Sequence, residues 1–311
     1  MSKILGFMLL VSVGFEASAS RKIIYGEDNR SDITTTSLKT VKNFATGIAG
    51  RVKNYRVEKN DKLFTLLNVR NLSHPTKARL CKDEQFANQP STTDCTGFLI
   101  AEDLFVTAGH CATELDTIAE DEKTPECSTH SWMFDYSTDL NGKISLKNVD
   151  AKKLVGCKKV IYAEFSSKVD FAIIQLDRKL PGRHFFELDA NPIQENDDIF
   201  VMGHPSGLPL KIATDAKVFS THDNYFSTNL DTFGGNSGSP VFNARTSEVV
   251  GVLSRGDIDY VMDEYEGESC RRVNRCDSSR ENCIEDHPGI DGEHVTHIEL
   301  VKERLKRLKH L

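Results

Sequence analysis

The sequence predicts an all-β protein that ends in a single α-helix. Most apolar residues fall in short runs between turn-forming residues, a pattern that favours strands over helices. The clearest pair of strands covers residues 95–100 and 104–107, separated by a short polar turn at Glu102 and Asp103. The end of the chain differs, because its apolar residues recur at the spacing of one helical face: Ile298, Val301, Leu305 and Leu308.

Further strands are expected wherever such apolar runs recur: residues 62–69, 131–136, 158–165, 171–176, 199–202, 241–242 and 249–253. Residues 31–60 are polar and show no clear periodicity, so we expect an irregular surface arm there. Residues 114–127 and 257–292 are acidic, and we interpret them as a solvated loop and an insertion. The insertion's cysteines lack the Cys-x-x-Cys spacing of a zinc site, which indicates disulfides: Cys270, Cys276 and Cys283.

The composition is that of an ordinary globular chain. Of its 311 residues, 39% are hydrophobic and 27% are charged, and the formal net charge is −7. Nucleic-acid binding calls for a basic patch, which this acidic chain does not offer. We therefore expect no nucleic-acid partner and interpret the negative charge as a contribution to solubility.

The first residues have the pattern of an export signal. Lys3 supplies a basic start, residues 4–15 are mostly apolar, and small residues at 17–19 offer a cleavage site. The apolar run is shorter than the roughly 20 residues of a spanning helix, so no stable membrane insertion is expected. The even count of eight cysteines fits an oxidising compartment. We expect a signal peptide at residues 1–19, a short pro-segment and arm at 20–60, and a secreted or periplasmic protein.

Residues 231–240 contain a serine, Ser237, on a glycine-rich turn. Glycines allow backbone conformations that other residues resist, and they let a ligand approach the main chain closely. On such a turn the N–H groups of Gly235 and Ser237 can together stabilise a developing oxyanion. A flexible linker can also have this composition, so the interpretation depends on a base elsewhere in the chain.

Two other segments supply the partners that a nucleophilic serine needs. His110, in the string Thr-Ala-Gly-His-Cys, is the candidate base, and Asp170, at the start of an apolar run, is the candidate acid that orients it. His204 is an alternative base, although a histidine in a turn is more often structural. Asp150 and Asp177 are rival acids, but neither opens such a strand.

These motifs resemble those of the trypsin-like serine peptidases. The order His110, Asp170, Ser237 matches the chymotrypsin arrangement, and the bacterial branch that includes the glutamyl endopeptidases is the most similar. The resemblance implies two antiparallel six-stranded β-barrels, chymotrypsin-like, with a C-terminal α-helix. It places a peptidase domain at 61–311, with barrels at about 61–180 and 195–311. It also implies a disulfide between Cys95 and Cys111 beside the histidine.

The resemblance further implies which residues bind substrate. Asp231 and Thr232 would lie in the specificity pocket, where a carboxylate favours Arg or Lys side chains. Main-chain groups at residues 254–256 (Ser254, Arg255 and Gly256) would pair with an extended peptide. Leu253 stands where glutamyl endopeptidases have a histidine, so a preference for glutamate loses its usual support. Arg255 could instead turn inward and neutralise Asp231.

The function implied is that of a secreted serine endopeptidase that cuts proteins or peptides, with cleavage after Arg or Lys as the expected preference. His110, Asp170 and Ser237 would act through an acyl-enzyme, without a metal or other cofactor. We expect a monomer. One alternative is an inactive relative used for binding or adhesion, for which Arg255-Gly256-Asp257 is a weak motif. The other alternative is an esterase that uses the same nucleophile.

Overall fold

The computed structural model describes residues 24–36, 39–189, 191–256, 258–277 and 292–308. The described strands are β1 (Ile24–Tyr25), β2 (Arg30–Asp32), β3 (Ile48–Lys53), β4 (Val57–Lys59), β5 (Leu63–Leu66), β6 (Arg70–Asn71), β7 (Pro90–Ser91), β8 (Thr96–Leu99), β9 (Leu104–Thr107), β10 (Thr117–Glu122), β11 (His130–Phe134), β12 (Val149–Asp150), β13 (Leu154–Phe165), β14 (Asp170–Leu176), β15 (Asp198–Gly203), β16 (Lys211–Thr221), β17 (Tyr225–Thr228), β18 (Pro240–Asn243), β19 (Val249–Arg255), β20 (Tyr260–Tyr265), β21 (Glu268–Val273), β22 (Arg275–Cys276) and β23 (Glu293–His297). The described α-helices are α1 (Lys39–Phe44), α2 (Pro125–Thr129) and α3 (Ile298–Arg307).

The first barrel closes through six antiparallel strands in the order β13, β11, β3, β8, β9 and β14, with β14 pairing back onto β13. Strand β10 adds to the outside of β13. Alternating apolar side chains point inward, and aromatic rings fill much of the interior. Phe105, Trp132 and Phe134 pack there beside the Cys95–Cys111 and Cys127–Cys157 disulfides.

The second barrel closes through β15, β18, β19, β23, β17 and β16, with β16 pairing back onto β15. Strand β2, from near the start of the described chain, adds to β16. Apolar side chains such as Phe226, Val241 and Leu253 form its interior. A third cluster joins the barrels and includes Phe98, Phe242 and the buried face of α3. The predicted all-β fold of two six-stranded barrels and a C-terminal helix is therefore confirmed.

The prediction of an irregular arm at residues 31–60 is wrong. This segment contains α1 and β3, and β3 is an interior strand of the first barrel, paired with both β8 and β11. Its glycine and charged residues weaken the apolar pattern, but pairing on both edges satisfies its backbone. The first barrel thus includes residues ahead of position 61. The strand predicted at 62–69 is shorter, and β5 pairs with β4 and β12 in a separate three-stranded sheet.

The acidic segments are more ordered than predicted. Strand β10 and helix α2 occupy residues 117–122 and 125–129, because β10 directs Ala119 inward while its acidic side chains remain exposed. In the described part of the insertion, β20 and β21 form a hairpin. The Cys81–Cys270 disulfide ties that hairpin to the loop between β6 and β7. The predicted signal peptide and Cys283 lie outside the described residues.

Candidate active site

His110 lies on a tight turn at one end of the first barrel. The turn Gly109–Cys111 follows β9, and the Cys95–Cys111 disulfide ties it to the residue before β8. A Cβ atom at Gly109 would lie 2.0 Å from the Glu164 carbonyl oxygen, so only glycine allows the turn to pack this closely against β13. The disulfide and the close packing fix the backbone of the histidine.

Asp170, the first residue of β14, holds His110 through two hydrogen bonds. Its Oδ1 accepts the main-chain N–H of His110 at 3.0 Å, and its Oδ2 lies 2.8 Å from Nδ1 of the ring. Asp170 is 1% exposed, whereas the His110 side chain is 23% exposed. A carboxylate at this distance favours the tautomer that is protonated on Nδ1, which leaves Nε2 to act as a base.

Ser237 lies on the turn between two glycines with left-handed backbone angles. Gly235 has φ +98° and Gly238 has φ +88°. A Cβ at Gly238 would lie 2.2 Å from the Thr96 carbonyl oxygen and 2.7 Å from the Ala108 nitrogen, so the turn packs directly against the segment that leads to His110. The Thr96 N–H also donates to the Ser237 carbonyl at 2.8 Å. The fold thus brings the serine and histidine segments together.

Within the described residues, the Ser237 hydroxyl makes no hydrogen bond, either to His110 or to any other group. Ser237 itself is only 2% exposed. Catalytic hydrogen bonds in structures without substrate are often long or poorly aligned and tighten only when substrate binds. The structure therefore brings the His110 and Ser237 segments together, with the His110–Asp170 hydrogen bonds formed and, among the described residues, no hydrogen bond between His110 and Ser237.

Two main-chain donors at the serine turn are available to an oxyanion. The N–H of Asn236 is used, because it donates to the Phe233 carbonyl at 2.9 Å. The N–H groups of Gly235 and Ser237 donate to no acceptor in the part of the chain that the structure describes. Unused donors beside a candidate nucleophile are what stabilisation of a negative oxygen requires.

Asp231 does not present a free carboxylate to a substrate, contrary to the prediction. It is 4% exposed, and its Oδ1 and Oδ2 accept the main-chain N–H groups of Tyr25 and Asn29, both at 2.9 Å. Burial raises the pKa of Asp231 to about 7, and the hydrogen bonds from Asn29 and Tyr25 oppose that rise. The carboxylate therefore anchors the N-terminal segment of the chain just ahead of the serine turn.

A second buried acid, Glu293, lies among the residues predicted to form the pocket. The Thr232 hydroxyl donates to Glu293 Oε2, and a Cβ at Gly256 would lie 2.2 Å from Oε1. Both Thr232 and Glu293 are fully buried. Sequence reasoning missed Glu293, because β23 reads Glu-His-Val-Thr-His and lacks the apolar run that follows Asp170.

Arg255 does not turn inward to Asp231. Its guanidinium donates to the carbonyl oxygens of Ser166 and Ser167, at 2.5 and 3.1 Å, in the loop that precedes Asp170. Ser254 is buried, and its hydroxyl donates to the His294 carbonyl at 3.1 Å. On one edge of β19, the described hydrogen bonds to the segment that follows Ser237 end at Leu253. On its other edge, the pairing with β23 continues to Arg255.

The alternative base and the rival acids lie in structural positions. His204 is 1% exposed, stacks on Tyr136 and lies 2.9 Å from the Leu208 carbonyl oxygen through Nδ1. Burial lowers its pKa to about 4, so the ring is neutral near neutral pH. Asp150 accepts the N–H of Lys152, and Asp177 accepts that of Gly156. Neither acid is hydrogen-bonded to His110.

One cluster in the described residues has metal-ligand side chains close together, namely Cys95, His110 and Cys111, whose ligand atoms lie within 4.8 Å of one another. Both sulfurs are held in a disulfide, so neither can act as a thiolate ligand. In the described part of the chain, no helix has the length and apolar character needed to cross a membrane.

Comparison with known proteins agrees with this geometry. Residues 95–252 match the model of a family described as the trypsin-like peptidase domain, and this match extends from Cys95 past the serine turn. The chain therefore belongs to the trypsin-like peptidase domain family. No curated protein matches the sequence significantly.

Similar solved structures include two proteases. The active form of the Rv3671c protease from M. tuberculosis is 14% identical over 95% of this chain and 93% of that chain, with a TM-score of 0.47. The VesB protease of Vibrio cholerae is 14% identical over 93% of this chain and 68% of that chain, with a TM-score of 0.49.

Proposed function

We propose that the chain is a secreted serine endopeptidase in which His110, Asp170 and Ser237 form the catalytic triad. The observation that carries the proposal is the contact between His110 and Asp170, in which one buried carboxylate binds both the main-chain N–H and the ring nitrogen of the histidine. This contact fixes the position of the ring and stabilises the imidazolium that forms during the reaction. Family membership supports the same reaction class.

The proposed mechanism needs a hydrogen bond between His110 and Ser237 that forms when substrate binds. With substrate in place, Nε2 of His110 takes the Ser237 proton as the hydroxyl attacks the scissile carbonyl. The N–H groups of Gly235 and Ser237 receive the developing oxyanion. His110 then protonates the leaving amine, and water hydrolyses the acyl-enzyme with the same residue as base.

The alternative of an inactive binding protein rests on one observation, the missing hydrogen bond between His110 and Ser237. A fluorophosphonate probe separates the two, because it reacts only with an activated serine. We expect the wild type to be labelled at Ser237, and Ser237→Ala and His110→Ala to remain unlabelled with unchanged circular dichroism. A folded wild type that resists the probe would favour the binding protein. Labelling combined with hydrolysis of small esters but of no peptide would favour the esterase.

The enzyme's preference for the substrate side chain before the scissile bond is also part of this proposal. Arg or Lys was predicted from Asp231, whose two oxygens accept main-chain N–H groups, whereas Glu293 lies, fully buried, against Thr232 and Gly256, two of the residues predicted to bind substrate. We propose that Glu293 is the acid that favours basic side chains. Profiling cleavage sites in a peptide mixture tests this: Glu293→Gln should lose a preference for Arg and Lys that Asp231→Asn retains. The relation to the glutamyl endopeptidase branch stays a prediction, which cleavage after Glu would support.

Export and trimming complete the proposal. The Cys81–Cys270, Cys95–Cys111 and Cys127–Cys157 disulfides fit an oxidising compartment outside the cytosol. Residues 1–19 would be removed as a signal, and cleavage after Lys22 would remove a short pro-segment. Ile24 and Tyr25, shortly after that cleavage point, are buried at 0% and 6% exposure, so this part of the chain belongs to the folded domain. Mass spectrometry of the exported protein would identify the mature first residue.

A further inference from the structure

A cavity of about 380 Å³ opens beside the serine turn, on the face formed by loops of the first barrel. Gly234 and Gly235 line one wall together with Ser206. The opposite wall comes from the loop between β6 and β7 and from the residues that lead to Cys95: Leu72, Thr76, Lys77, Ala78, Thr93 and Asp94. The cavity therefore begins at one of the two candidate oxyanion donors.

The position of this cavity indicates which half of a bound peptide would lie over it. The residues proposed to pair with the acyl half, 254–256, are not among its lining, and neither is Glu293. A peptide that crosses Ser237 from that edge must continue on the other side of the Gly235 turn. The residues that follow the scissile bond would therefore pass over this cavity.

Lys77 is the charged group of the lining that has no partner. Within the described residues, its ammonium makes no hydrogen bond or ion pair, although the side chain is half-buried. The two carboxylates of the lining are both engaged. Asp94 pairs with Arg51 at 2.8 Å, and Asp259 accepts the N–H of Gly234 at 3.1 Å. Burial, followed by the nearby charge of Arg56, lowers the pKa of Lys77, and the charge of Asp94 opposes that shift.

We infer that Lys77 forms a subsite for an acidic side chain on the leaving-group side of the cleaved bond; this inference rests on the proposed peptidase function. A half-buried ammonium that makes no ion pair is stabilised by a carboxylate, and a charge-assisted hydrogen bond between them is stronger than a neutral one. Arg51 already pairs with Asp94 of the lining, which leaves the Lys77 ammonium for an incoming carboxylate. The substrates favoured would carry Glu or Asp at the first or second position after the scissile bond.

The test uses the mature enzyme and quenched peptides that differ only in Glu or Gln at those two positions. We expect the wild type to cleave the Glu peptide with a kcat/KM about tenfold higher than the Gln peptide, as a charge-assisted hydrogen bond implies. Lys77→Met should reduce that ratio to about one, and circular dichroism checks that the variant is folded. Lys82→Met is the matched control, because Lys82 lies in the same loop but pairs with Glu268 on the surface.

Each outcome distinguishes this inference from the function on which it depends. A wild type that cleaves both peptides equally, or a Lys77→Met enzyme that keeps the preference, would overturn the subsite and leave the peptidase intact. A wild type that cleaves no peptide and resists the fluorophosphonate probe would overturn both. A preference lost equally in Lys82→Met would assign the effect to overall charge and also overturn the subsite.

Discussion

Asp231→Asn tests whether the buried carboxylate beneath the serine turn carries a proton near neutral pH. The substitution keeps the size of the side chain and removes its ability to ionise. In the wild type, both oxygens accept main-chain N–H groups, from Tyr25 and Asn29. The asparagine amide can accept only one of these and leaves the other donor unsatisfied, at a cost of about 1–3 kcal/mol that does not depend on pH.

The pH-dependent part of the stability change follows from the raised pKa of Asp231. Burial moves the pKa of Asp231 from 3.8 to about 7, so the folded protein binds this proton more tightly than the unfolded chain does. Because the folded-state pKa is the higher one, the stabilisation is present in acid and is lost as the pH rises through about 7. Linkage gives a loss of roughly 2–3 kcal/mol in the free energy of unfolding between about pH 5 and about pH 8.

Urea unfolding at several pH values between these limits measures the effect. All proteins would carry Ser237→Ala, so that self-digestion does not distort the curves. We expect the free energy of unfolding to fall with rising pH by roughly 2–3 kcal/mol more in the Asp231 protein than in Asp231→Asn. Asp61→Asn, which removes an exposed carboxylate, should follow the parent. Parallel curves for the parent and Asp231→Asn would refute the raised pKa and with it the account of this anchor.

The remaining predictions concern the groups around His110. Asp170→Asn should lower kcat by about 10⁴, because the asparagine supports the wrong tautomer of His110. The rate of ester hydrolysis measures this loss. A decrease of less than tenfold would contradict the role of Asp170 in orienting His110. Replacing both Cys95 and Cys111 by Ala should cost about 3 kcal/mol in urea unfolding, because the disulfide spans 16 residues; unchanged stability would contradict it. Arg255→Ala removes the donors to Ser166 and Ser167, so amide exchange at 166–169 should accelerate, and unchanged protection would show that the contact is not needed.

The parts of the site that sequence could predict are those with short-range signals. His110, Asp170 and Ser237 each lie in a local motif, and barrel strands such as β8, β14 and β19 appear as apolar runs because nearly all of their residues are buried. The Cys95–Cys111 disulfide followed from the resemblance that these motifs carry. Strand β3 was missed because its sequence mixes glycine and charged residues with few apolar ones, and its pairing on both edges is a long-range property.

The partners of Asp231 could not be predicted, because they are main-chain N–H groups about 200 positions away in sequence. Every residue except proline has such a group, so the sequence contains no signal for this contact. An aspartate ahead of the serine was instead interpreted as the floor of a pocket. Glu293 had no local signal, because only one apolar residue follows it in β23 and it comes directly after an acidic insertion where a single carboxylate does not stand out.

The two barrels are joined at the candidate site by directional contacts as well as by apolar packing. From the first barrel, Thr96 donates its N–H to the Ser237 carbonyl at 2.8 Å and its hydroxyl to the Gly235 carbonyl at 2.7 Å. From the second barrel, the Thr296 hydroxyl donates to the Asp170 carbonyl at 3.1 Å. Apolar contacts tolerate sliding because they are non-directional, whereas hydrogen bonds weaken steeply when their angles change. The main chains at Ser237 and Asp170 are therefore each held in place by hydrogen bonds from the opposite barrel, which fixes the two segments relative to each other at the candidate site.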